Sequence, residues 1–383
     1  MKLFALQDRV LAWRRRSRRR PGPARGVLLI SSGGLGDTVL FSLVAEQFRG
    51  LAEADEPVTV LLNQGADKMA FLLPPDLGVE TVDLQRLRRD LGYRRRTMEH
   101  LFQANYRLVV HTDFLRHPEM DEALAFACAA PETVAMAPRA WPKYNSVLDA
   151  NRARYDRLFD SGPPIRDKVR RWHAFGEWLT GRAAPLPDFL LGNDRLPPTA
   201  EEAKPLVIIQ PFSAVREKQS PAALYANIVA ALPADTAVAI AGAPSDRRKN
   251  PDFEPLLALP NVSYEDATFE NLAPRLRAAR LVISVDTACM HLAAVLGAPT
   301  LCLASAAYVG EIVPYDLDIA PPNIRFIYTP MPCAGCLGNC SLPLENTMFP
   351  CVARLDETAV LGAAKEMLQS PSSSSDGHWP MPR

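Results

Sequence analysis

The chain has 383 residues, of which 48% are apolar and 22% are charged. Those proportions exclude a disordered protein, and the length suits two domains of ordinary size. No apolar run approaches the ~18–20 residues that a membrane-spanning helix needs. The formal net charge is zero, yet residues 1–25 contain nine basic residues against a single acid, so the remaining chain is acidic.

Residues 1–25 form a basic segment that predicts a short amphipathic helix. Leu3, Leu6, Val10 and Trp13 recur at spacings of three and four, and arginine occupies six of the seven positions 14–20. Such a helix either lies on an anionic membrane surface or is a solvated basic tail. Because the apolar residues precede the cations, the segment is no secretory signal, and we expect a cytoplasmic protein that is peripheral to the inner membrane face if the helix binds lipid. An acidic remainder argues against nucleic acid as a partner.

Residues 26–185 predict a first α/β domain, with helices between short apolar strands. One helix is expected from about Asp37 to Arg49. The predicted strands are Val27–Ser31, Val58–Leu62, Val79–Val82, Leu108–His111 and Thr133–Met136. This alternation indicates a parallel, doubly wound sheet. The Pro-rich residues 186–205 predict a connection between domains.

Residues 206–368 repeat the pattern and predict a second domain of the same kind. Its predicted strands are Leu206–Gln210, Val238–Ala241, Val262–Tyr264, Leu281–Val285 and Thr300–Leu303. Two such domains would place a ligand cleft between the carboxyl ends of their sheets. The low-complexity tail 369–383 is predicted to be disordered.

A Gly-rich turn follows the first strand and opens a helix, as in many phosphate sites. Gly34 and Gly36 match a dinucleotide fingerprint, but Val39 stands where its third glycine belongs, and Asn63 stands where a ribose-binding acid is expected. An NAD(P)-binding Rossmann oxidoreductase is therefore the weaker alternative. Asp37 at the helix start is either a helix cap or a group that faces the cleft, and the two roles are compatible.

A second turn joins the strand Leu281–Val285 to a helix at Asp286-Thr287. The first amides of that helix suit a diphosphate. His291 follows Thr287 by one helical turn, so both side chains can face one ligand. The alternative is that Asp286 caps the helix and His291 packs beneath the sheet.

The segment Asp286-Thr287-x-x-x-His291-Leu292-Ala293-Ala294, followed by Gly297-Ala298-Pro299-Thr300, resembles the donor-binding signature of glycosyltransferase family 9, the heptosyltransferases. Three more motifs resemble the family in its order, and they are Gly36-Asp37-Thr38, Gln210-Pro211-Phe212-Ser213 with Lys218, and the turn Gly242–Asp246. The resemblance spans roughly residues 26–365. The chain departs from the family at Ala288, where glycine is usual, at Ser42-Leu43, where a proline is absent, and at Gln219-Ser220, where an aromatic residue is common.

The resemblance implies a GT-B-like α/β fold, with two Rossmann-like, doubly wound parallel-sheet domains facing a central cleft. It also implies inverting, metal-independent transfer of a heptose-like sugar from a nucleotide-diphosphate donor such as ADP-heptose to a lipopolysaccharide core or another surface glycan. Asp37 is then the catalytic base, and the donor-binding residues are Gly36, Ser213, Lys218, Asp246, Asp286, Thr287, Ala288 and His291.

Acceptor residues are predicted after the fourth strand, where His111, Asp113 and His117 are candidates and Asp113 is the reserve base. Arginines within 86–96 and basic residues within 168–171 form two further clusters in this domain. These clusters suit a phosphorylated glycolipid, or they are solvated faces.

Four cysteines lie within nineteen residues on a Pro- and Gly-rich loop, spaced as Cys333-x2-Cys336-x3-Cys340-x10-Cys351. Four thiolates suit a closed structural site for zinc, or less readily iron, and leave no open position for catalysis. The alternatives are packed reduced thiols or a disulfide formed on isolation. Cys128, Cys289 and Cys302 lie in apolar runs and are predicted core residues. A catalytically silent scaffold, held by the metal loop and the basic helix, is a further alternative to an enzyme.

Overall fold

A computed structural model describes residues 2–15, 17–20 and 22–369. The chain divides into two compact units. The first comprises the chain up to Pro164 together with Val169–Pro185, and the second comprises Ile165–Lys168 and the chain from Leu186 onward. The predicted disordered tail lies outside the described residues from position 370.

The first sheet is parallel throughout, with the order β3-β2-β1-β4-β5-β6. Its strands are β1 (Val27–Ser31), β2 (Val58–Asn63), β3 (Gly78–Val82), β4 (Leu108–His111), β5 (Glu132–Met136) and β6 (Arg157–Phe159). The helices of this part of the chain are α1 (Lys2–Arg15), α2 (Leu35–Ser42), α3 (Ala45–Arg49), α4 (Leu84–Leu87), α5 (Leu91–Gln103), α6 (Asp121–Ala127), α7 (Asn145–Arg152) and α8 (Lys168–Thr180), with a 3-10 helix at Ala66–Leu72.

The second sheet is also parallel, with the order β12-β11-β10-β7-β8-β9. Its strands are β7 (Leu206–Gln210), β8 (Ala237–Ala241), β9 (Val262–Glu265), β10 (Leu281–Val285), β11 (Thr300–Leu303) and β12 (Ile324–Ile327). Its helices are α9 (Ala222–Ala230), α10 (Pro244–Lys249), α11 (Glu254–Leu257), α12 (Phe269–Ala278), α13 (Ala288–Val295), α14 (Pro350–Ala353) and α15 (Glu357–Gln369), with short 3-10 helices at Asn193–Arg195, Arg216–Lys218, Pro251–Phe253 and Ala306–Tyr308.

The central strands β1 and β10 are apolar at every position except Ser31 and Ser284. Every residue of β1 and β10 is buried, as expected for strands inside a parallel sheet. Separate cores form in the two units, one around Leu28, Ile30 and Val109, the other around Ile209 and Ile283. The predicted α/β class is therefore confirmed, with two Rossmann-like, doubly wound parallel sheets.

All ten predicted strands are present, and the structure adds β6 and β12. Both additions are short strands at a sheet edge, and they include the charged residues Arg157 and Arg325, so they lack the apolar run that identified the others. The prediction of one helix from Asp37 to Arg49 was wrong. Two helices, α2 and α3, occupy this region, and the Ser42 hydroxyl donates to the Val39 carbonyl where the first ends.

The predicted N-terminal helix is present as α1, and it has two apolar faces rather than one. Leu11 packs against the core of the first unit, and Asp8 pairs with the buried Arg94. Leu6, Val10 and Trp13 lie on the other face and are 57%, 41% and 69% exposed. In the described part of the chain, no helix is both long and apolar enough to cross a membrane.

Residues 186–205 contain only the 3-10 turn Asn193–Arg195 as regular structure. The segment lies along the second unit, where the Leu191 amide donates to the Val295 carbonyl at 2.9 Å and the Ala200 amide donates to the Pro274 carbonyl at 3.0 Å. The predicted connection is thus part of the second unit.

Candidate functional site

Each sheet has one position where the strand order reverses, between β1 and β4 in the first unit and between β7 and β10 in the second. In open α/β sheets, ligands bind at the carboxyl ends of the strands at such a position. The Gly36-Asp37-Thr38 motif of the sequence follows β1, and the Asp286-Thr287 motif follows β10. Topology therefore places both predicted motifs where ligand sites form.

In the second unit, one glutamine connects the two strands at this position. The Gln210 side-chain carbonyl accepts hydrogen bonds from the hydroxyl of Thr287 at 2.7 Å and from that of Ser284 at 3.0 Å. With its hydroxyl engaged by Gln210, Thr287 gives α13 no side-chain cap. The Thr287 side chain thus does not occupy the N-terminal amides of α13, an arrangement that suits an anionic ligand group.

A buried ion pair stands beside this helix start. The Lys218 ammonium lies 2.9 Å from the Asp286 carboxylate and also donates to the Asp286 carbonyl at 2.9 Å. Ser305 donates to the second carboxylate oxygen at 2.9 Å, and the Tyr308 ring centre is 4.6 Å from the ammonium. Burial raises the pKa of Asp286 above its usual range, although Lys218 acts in the opposite direction. The pair holds a cation in a fixed position next to the uncapped amides.

Three further predicted donor residues, Asp246, Ser213 and His291, have structural partners in the second unit. Asp246 accepts from the Ala243 amide at 2.9 Å and closes a capping box at the start of α10. The Ser213 hydroxyl accepts from the Val215 amide at 3.2 Å. His291 is buried, and its Nδ1 lies 2.7 Å from the Tyr315 hydroxyl. For His291, the structure matches the packed alternative that the sequence left open.

In the first unit, Asp37 is the third residue of α2 and takes part in a capping box. Its carboxylate accepts from the Gly34 amide at 2.7 Å, and its side chain is partly exposed. A Cβ atom at Gly33 would come within 2.5 Å of that carboxylate, so the turn requires glycine there. The capping role expected of Asp37 is confirmed, and it leaves the carboxylate at the surface of the turn.

Asp113 connects the ends of β1 and β4. One of its carboxylate oxygens accepts from the Ser32 amide at 2.7 Å and from the Ser32 hydroxyl at 2.9 Å. His111 is completely buried, and burial lowers its pKa well below the usual value, so the ring is neutral. His117 is mostly buried, and burial together with nearby cations lowers its pKa to about 4.

Three buried charged residues near these candidates were missed by the sequence analysis. Arg116 and Glu122 form a fully buried ion pair at 2.9 Å, and Asp121 accepts from the His117 amide at 2.6 Å. Burial raises the pKa of Asp121 to about 7. The available signal was the density of charged residues directly after a buried strand. In the second unit, Gln210, Ser305 and Tyr308 were missed as partners because their contacts depend on the tertiary structure.

The cysteine loop packs beside the Lys218–Asp286 pair. The amides of Gly335 and Leu337 donate to the carbonyls of Ala306 and Ala307, and the Phe349 amide donates to the Glu217 carbonyl at 2.9 Å. These bonds connect the loop to the segments that carry Tyr308 and Lys218. The loop therefore packs against segments that carry residues of the predicted donor site.

All seven cysteines are free thiols. Cys128, Cys289 and Cys302 are buried, which confirms their prediction as core residues. Burial, followed by the neighbouring thiols of the loop, raises the pKa of Cys333 and Cys351. The loop thiols are thus neighbours, yet among the described residues no group of three or more His, Cys, Asp or Glu side chains is arranged to hold a metal ion.

Comparison with known proteins gives a family match and a set of similar folds. Residues 155–319 match the model of glycosyltransferase family 9 (heptosyltransferase). No curated protein matches the chain.

Three similar solved structures cover most of the chain at low identity. A family 9 glycosyl transferase from Veillonella parvula is 15% identical with a TM-score of 0.65, covering 90% of this chain and 97% of that one. The E. coli ADP-heptose lps heptosyltransferase II is 13% identical with a TM-score of 0.63, covering 90% and 98%. The E. coli heptosyltransferase WaaC, solved with ADP-2-deoxy-2-fluoro heptose, is 18% identical with a TM-score of 0.64, covering 89% and 99%.

At these identities the structural likeness shows the fold, and the fold is that of the GT-B-like heptosyltransferases. The family match includes the strand β10, the Asp286-Thr287 turn and Lys218. The resemblance to family 9 that the motifs predicted is thereby confirmed over residues 155–319, where the chain carries a glycosyltransferase domain.

Proposed function

We propose that the chain transfers a heptose-like sugar from a nucleotide-diphosphate donor to a lipopolysaccharide core or another surface glycan, with inversion and without a catalytic metal. The observation that carries the donor half is the uncapped start of α13 beside the fixed Lys218 cation. Backbone amides and a cation in one place suit a diphosphate. The WaaC structures contain ADP and an ADP-heptose analogue, which favours an adenine nucleotide here.

In this proposal the second unit stabilises the leaving group. Charge develops on the diphosphate as the bond to the sugar breaks, and preorganised donors lower the energy of that state. The Ala288 and Cys289 amides and the Lys218 ammonium supply such donors, and Ser213 adds a hydroxyl. His291 does not touch the ligand in this proposal. It contacts Tyr315, and this contact positions helix α13.

Asp37 supplies the proton acceptor in this proposal. The acceptor hydroxyl gives its proton to the carboxylate as its oxygen attacks the anomeric carbon, and the nucleotide diphosphate leaves from the opposite face. Partial exposure of Asp37 supports this role, since a buried cap could not meet a substrate. Asp113 holds the turn through Ser32 and so positions Asp37.

The proposed acceptor is an anionic glycolipid at a membrane surface. The outer face of α1 exposes Leu6, Val10 and Trp13. A groove of about 510 Å³ beside this helix is lined by Arg14, Arg15, Arg18, Arg95 and Arg96, with Glu99 as the acid. Apolar side chains flanked by arginines suit an anionic lipid surface. Co-sedimentation with anionic vesicles, absent with neutral vesicles and reduced in Trp13→Ala, would support this partner, and equal binding to both vesicle types would contradict it.

We also propose that Cys333, Cys336, Cys340 and Cys351 hold a structural zinc or iron ion. The proximity of the thiols supports the proposal, although the loop would have to draw them together. A bound metal would stiffen the loop that packs against Tyr308 and Lys218. Metal analysis of the purified protein tests this directly, and a metal content well below one per chain would contradict it.

Thermal-shift measurements test the donor proposal against its alternatives. We expect ADP and nucleotide-diphosphate sugars to raise the Tm, and Lys218→Met to abolish the rise. Lys204→Met, which removes an exposed lysine of the same unit, is the control and should retain it. Stabilisation by NADH alone would favour an oxidoreductase. No stabilisation by any of these ligands would favour a silent scaffold.

A further inference from the structure

The groove of about 510 Å³ beside α1 contains a large excess of positive charge. We call it the arginine groove. It is lined by side chains of α1, of α5 and of the segment after α1, which are Leu11, Arg14, Arg15, Arg18, Arg95, Arg96 and Glu99. Five cations therefore face one acid, a net formal charge of +4. Like charges crowded into so small a space favour the binding of an anion.

The single acid of the arginine groove does not balance these cations. Glu99 accepts from the Arg18 guanidinium at 2.6 Å and from the Gln103 side chain at 2.8 Å. Among the residues that the structure describes, no ion pair with an acid joins three other arginines of the groove, which are Arg14, Arg95 and Arg96. All three are exposed. Three cations of the groove can therefore pair with a ligand.

Arg15 has hydrogen-bonding capacity that the protein leaves unused. The residue is 9% exposed, its guanidinium lies 5.0 Å from the centre of the Phe102 ring, and Nη1 donates to the Ala127 carbonyl at 3.3 Å. In the described part of the chain, its buried Nε and Nη2 atoms have no hydrogen-bond acceptor. Glu99 is 3.7 Å from Nη2, which is too far for a hydrogen bond. Because buried donors without acceptors cost stability, an anion in the groove would supply what Arg15 lacks.

The Arg15 end of the groove lies at the amino edge of the first sheet. Arg15 contacts Ala127, which ends α6 just before β5, and Phe102, which lies in the last turn of α5 just before β4. Asp37 instead follows β1 and lies at the carboxyl edge. The groove is therefore distinct from the turn that carries the proposed base, and its ligand has a site of its own.

We propose that the arginine groove binds a phosphate group, which comes either from free phosphate or from the phosphomonoester headgroup of a lipid. The Arg15 guanidinium offers adjacent N–H donors, a geometry that matches two phosphate oxygens. Arg14 on α1 and the pair Arg95 and Arg96 on α5 neutralise the remaining charge. Since these cations belong to two helices, the bound phosphate holds α1 against α5.

This inference deepens the proposed membrane contact of α1. Where a lipid supplies the phosphate, it rests on that contact, whereas binding of free phosphate depends neither on a membrane nor on sugar transfer. A diffuse basic surface responds to the total charge of its partner. A built site instead prefers phosphate to other anions of equal charge and loses that preference when its own residues change.

Hydrogen–deuterium exchange of α1 tests the site locally, so phosphate bound elsewhere does not affect the result. The natural chain is compared in potassium phosphate and in potassium chloride of equal ionic strength. At about ten times the Kd, phosphate should slow exchange of the α1 amides about tenfold, because the helix must release the ligand to leave α5. The double variant Arg95→Gln, Arg96→Gln should lose most of this slowing.

The double variant Arg88→Gln, Arg89→Gln is the matched control. It removes the same charge from two exposed arginines of the first unit that do not line the groove, and it should keep the slowing. Equal slowing in the two double variants would overturn the inference, as would equal exchange of the natural chain in phosphate and chloride. If the Arg95, Arg96 variant does not fold, Arg15→Met decides in the same assay, because its apolar stem still packs on Phe102.

Vesicles distinguish the two sources of phosphate. Phosphatidylcholine vesicles with phosphatidic acid present a phosphomonoester, and vesicles of equal charge with phosphatidylglycerol present only a diester. Preferential binding to phosphatidic acid, lost in the Arg95, Arg96 variant, assigns the phosphate to a lipid. Equal binding to both, with exchange slowed by inorganic phosphate, assigns it to free phosphate. The rise in Tm with ADP, measured on the same samples, separates this inference from the donor proposal, because its absence would refute the donor site and leave the arginine groove standing.

Discussion

The two positions where strand order reverses share a topology and differ in their chemistry. At each position one polar side chain connects two strand ends. Asp113 bonds to Ser32 in the first unit, and Gln210 bonds to Thr287 in the second. Carboxylates and neutral histidines surround the first position, and a fixed lysine with uncapped amides surrounds the second. The difference shows that one topology can carry two kinds of polar surroundings, and that a few side chains decide which kind is present.

The largest expected effect is on turnover, and it comes from the Asp37 carboxylate of the first unit. Asp37→Asn should lower turnover by about 10²–10⁴-fold, because it removes the proposed proton acceptor. Asparagine still caps a helix, so the Tm and ADP binding should change little. Asp83→Asn changes a helix cap away from either site and is the control for capping. Turnover within a few-fold of the natural chain would remove Asp37 from the mechanism.

The second prediction concerns the buried ion pair between Lys218 and Asp286 in the second unit. Lys218→Met should lower the free energy of unfolding by about 3–5 kcal/mol, because it leaves the Asp286 carboxylate buried without a cation. Adding Asp286→Asn should restore part of that loss. Chemical denaturation of both single variants and the double variant measures the coupling. Strictly additive losses would show that the two groups do not interact in the folded protein.

The titration of Asp121 sharpens the comparison, since its pKa is raised to about 7. The protonated Asp121 contributes fully to stability at a pH below the ordinary Asp pKa of about 3.9. That contribution is lost as the pH rises through the raised pKa of about 7. His117 has a lowered pKa of about 4, so its contribution is present above about 6.5 and is lost as the pH falls through about 4. The two groups oppose one another in the natural chain.

In Asp121→Asn only the histidine contribution remains. The stability of this variant relative to the natural chain should therefore rise between about pH 4 and 7, by roughly 1 kcal/mol per pH unit. Urea denaturation at several pH values measures the difference. A difference that does not depend on pH would mean that Asp121 titrates normally.

The smallest expected effects come from the two connecting hydroxyls. Ser32→Ala and Thr287→Val should each cost about 1 kcal/mol of stability, because each removes one hydrogen bond while the acceptor keeps its second donor. Their functional effects should differ. Ser32→Ala should lower turnover, and Thr287→Val should weaken ADP binding. The same effect of both on ADP binding would mean that the two positions are not specialised as we describe.

The sequence by itself determined the central strands β1 and β10, because each was a mainly apolar run next to a Gly or Asp turn. It also determined the order of the motifs, and from them the resemblance to family 9 that the family model matches over residues 155–319. The charged edge strands β6 and β12 carried no such run and appeared only in the structure. The division of α2 from α3 depended likewise on a local bond of Ser42.

The tertiary structure alone decided which side chains meet. Gln210 and Thr287 are far apart in the chain, and so are Lys218 and Tyr308, and no local pattern predicts either contact. Spacing placed His291 on one helix face with Thr287, but packing against Tyr315 buried it. Local periodicity fixes secondary structure because it reflects neighbours along the chain, whereas contacts in a site depend on how strands are ordered in the sheet.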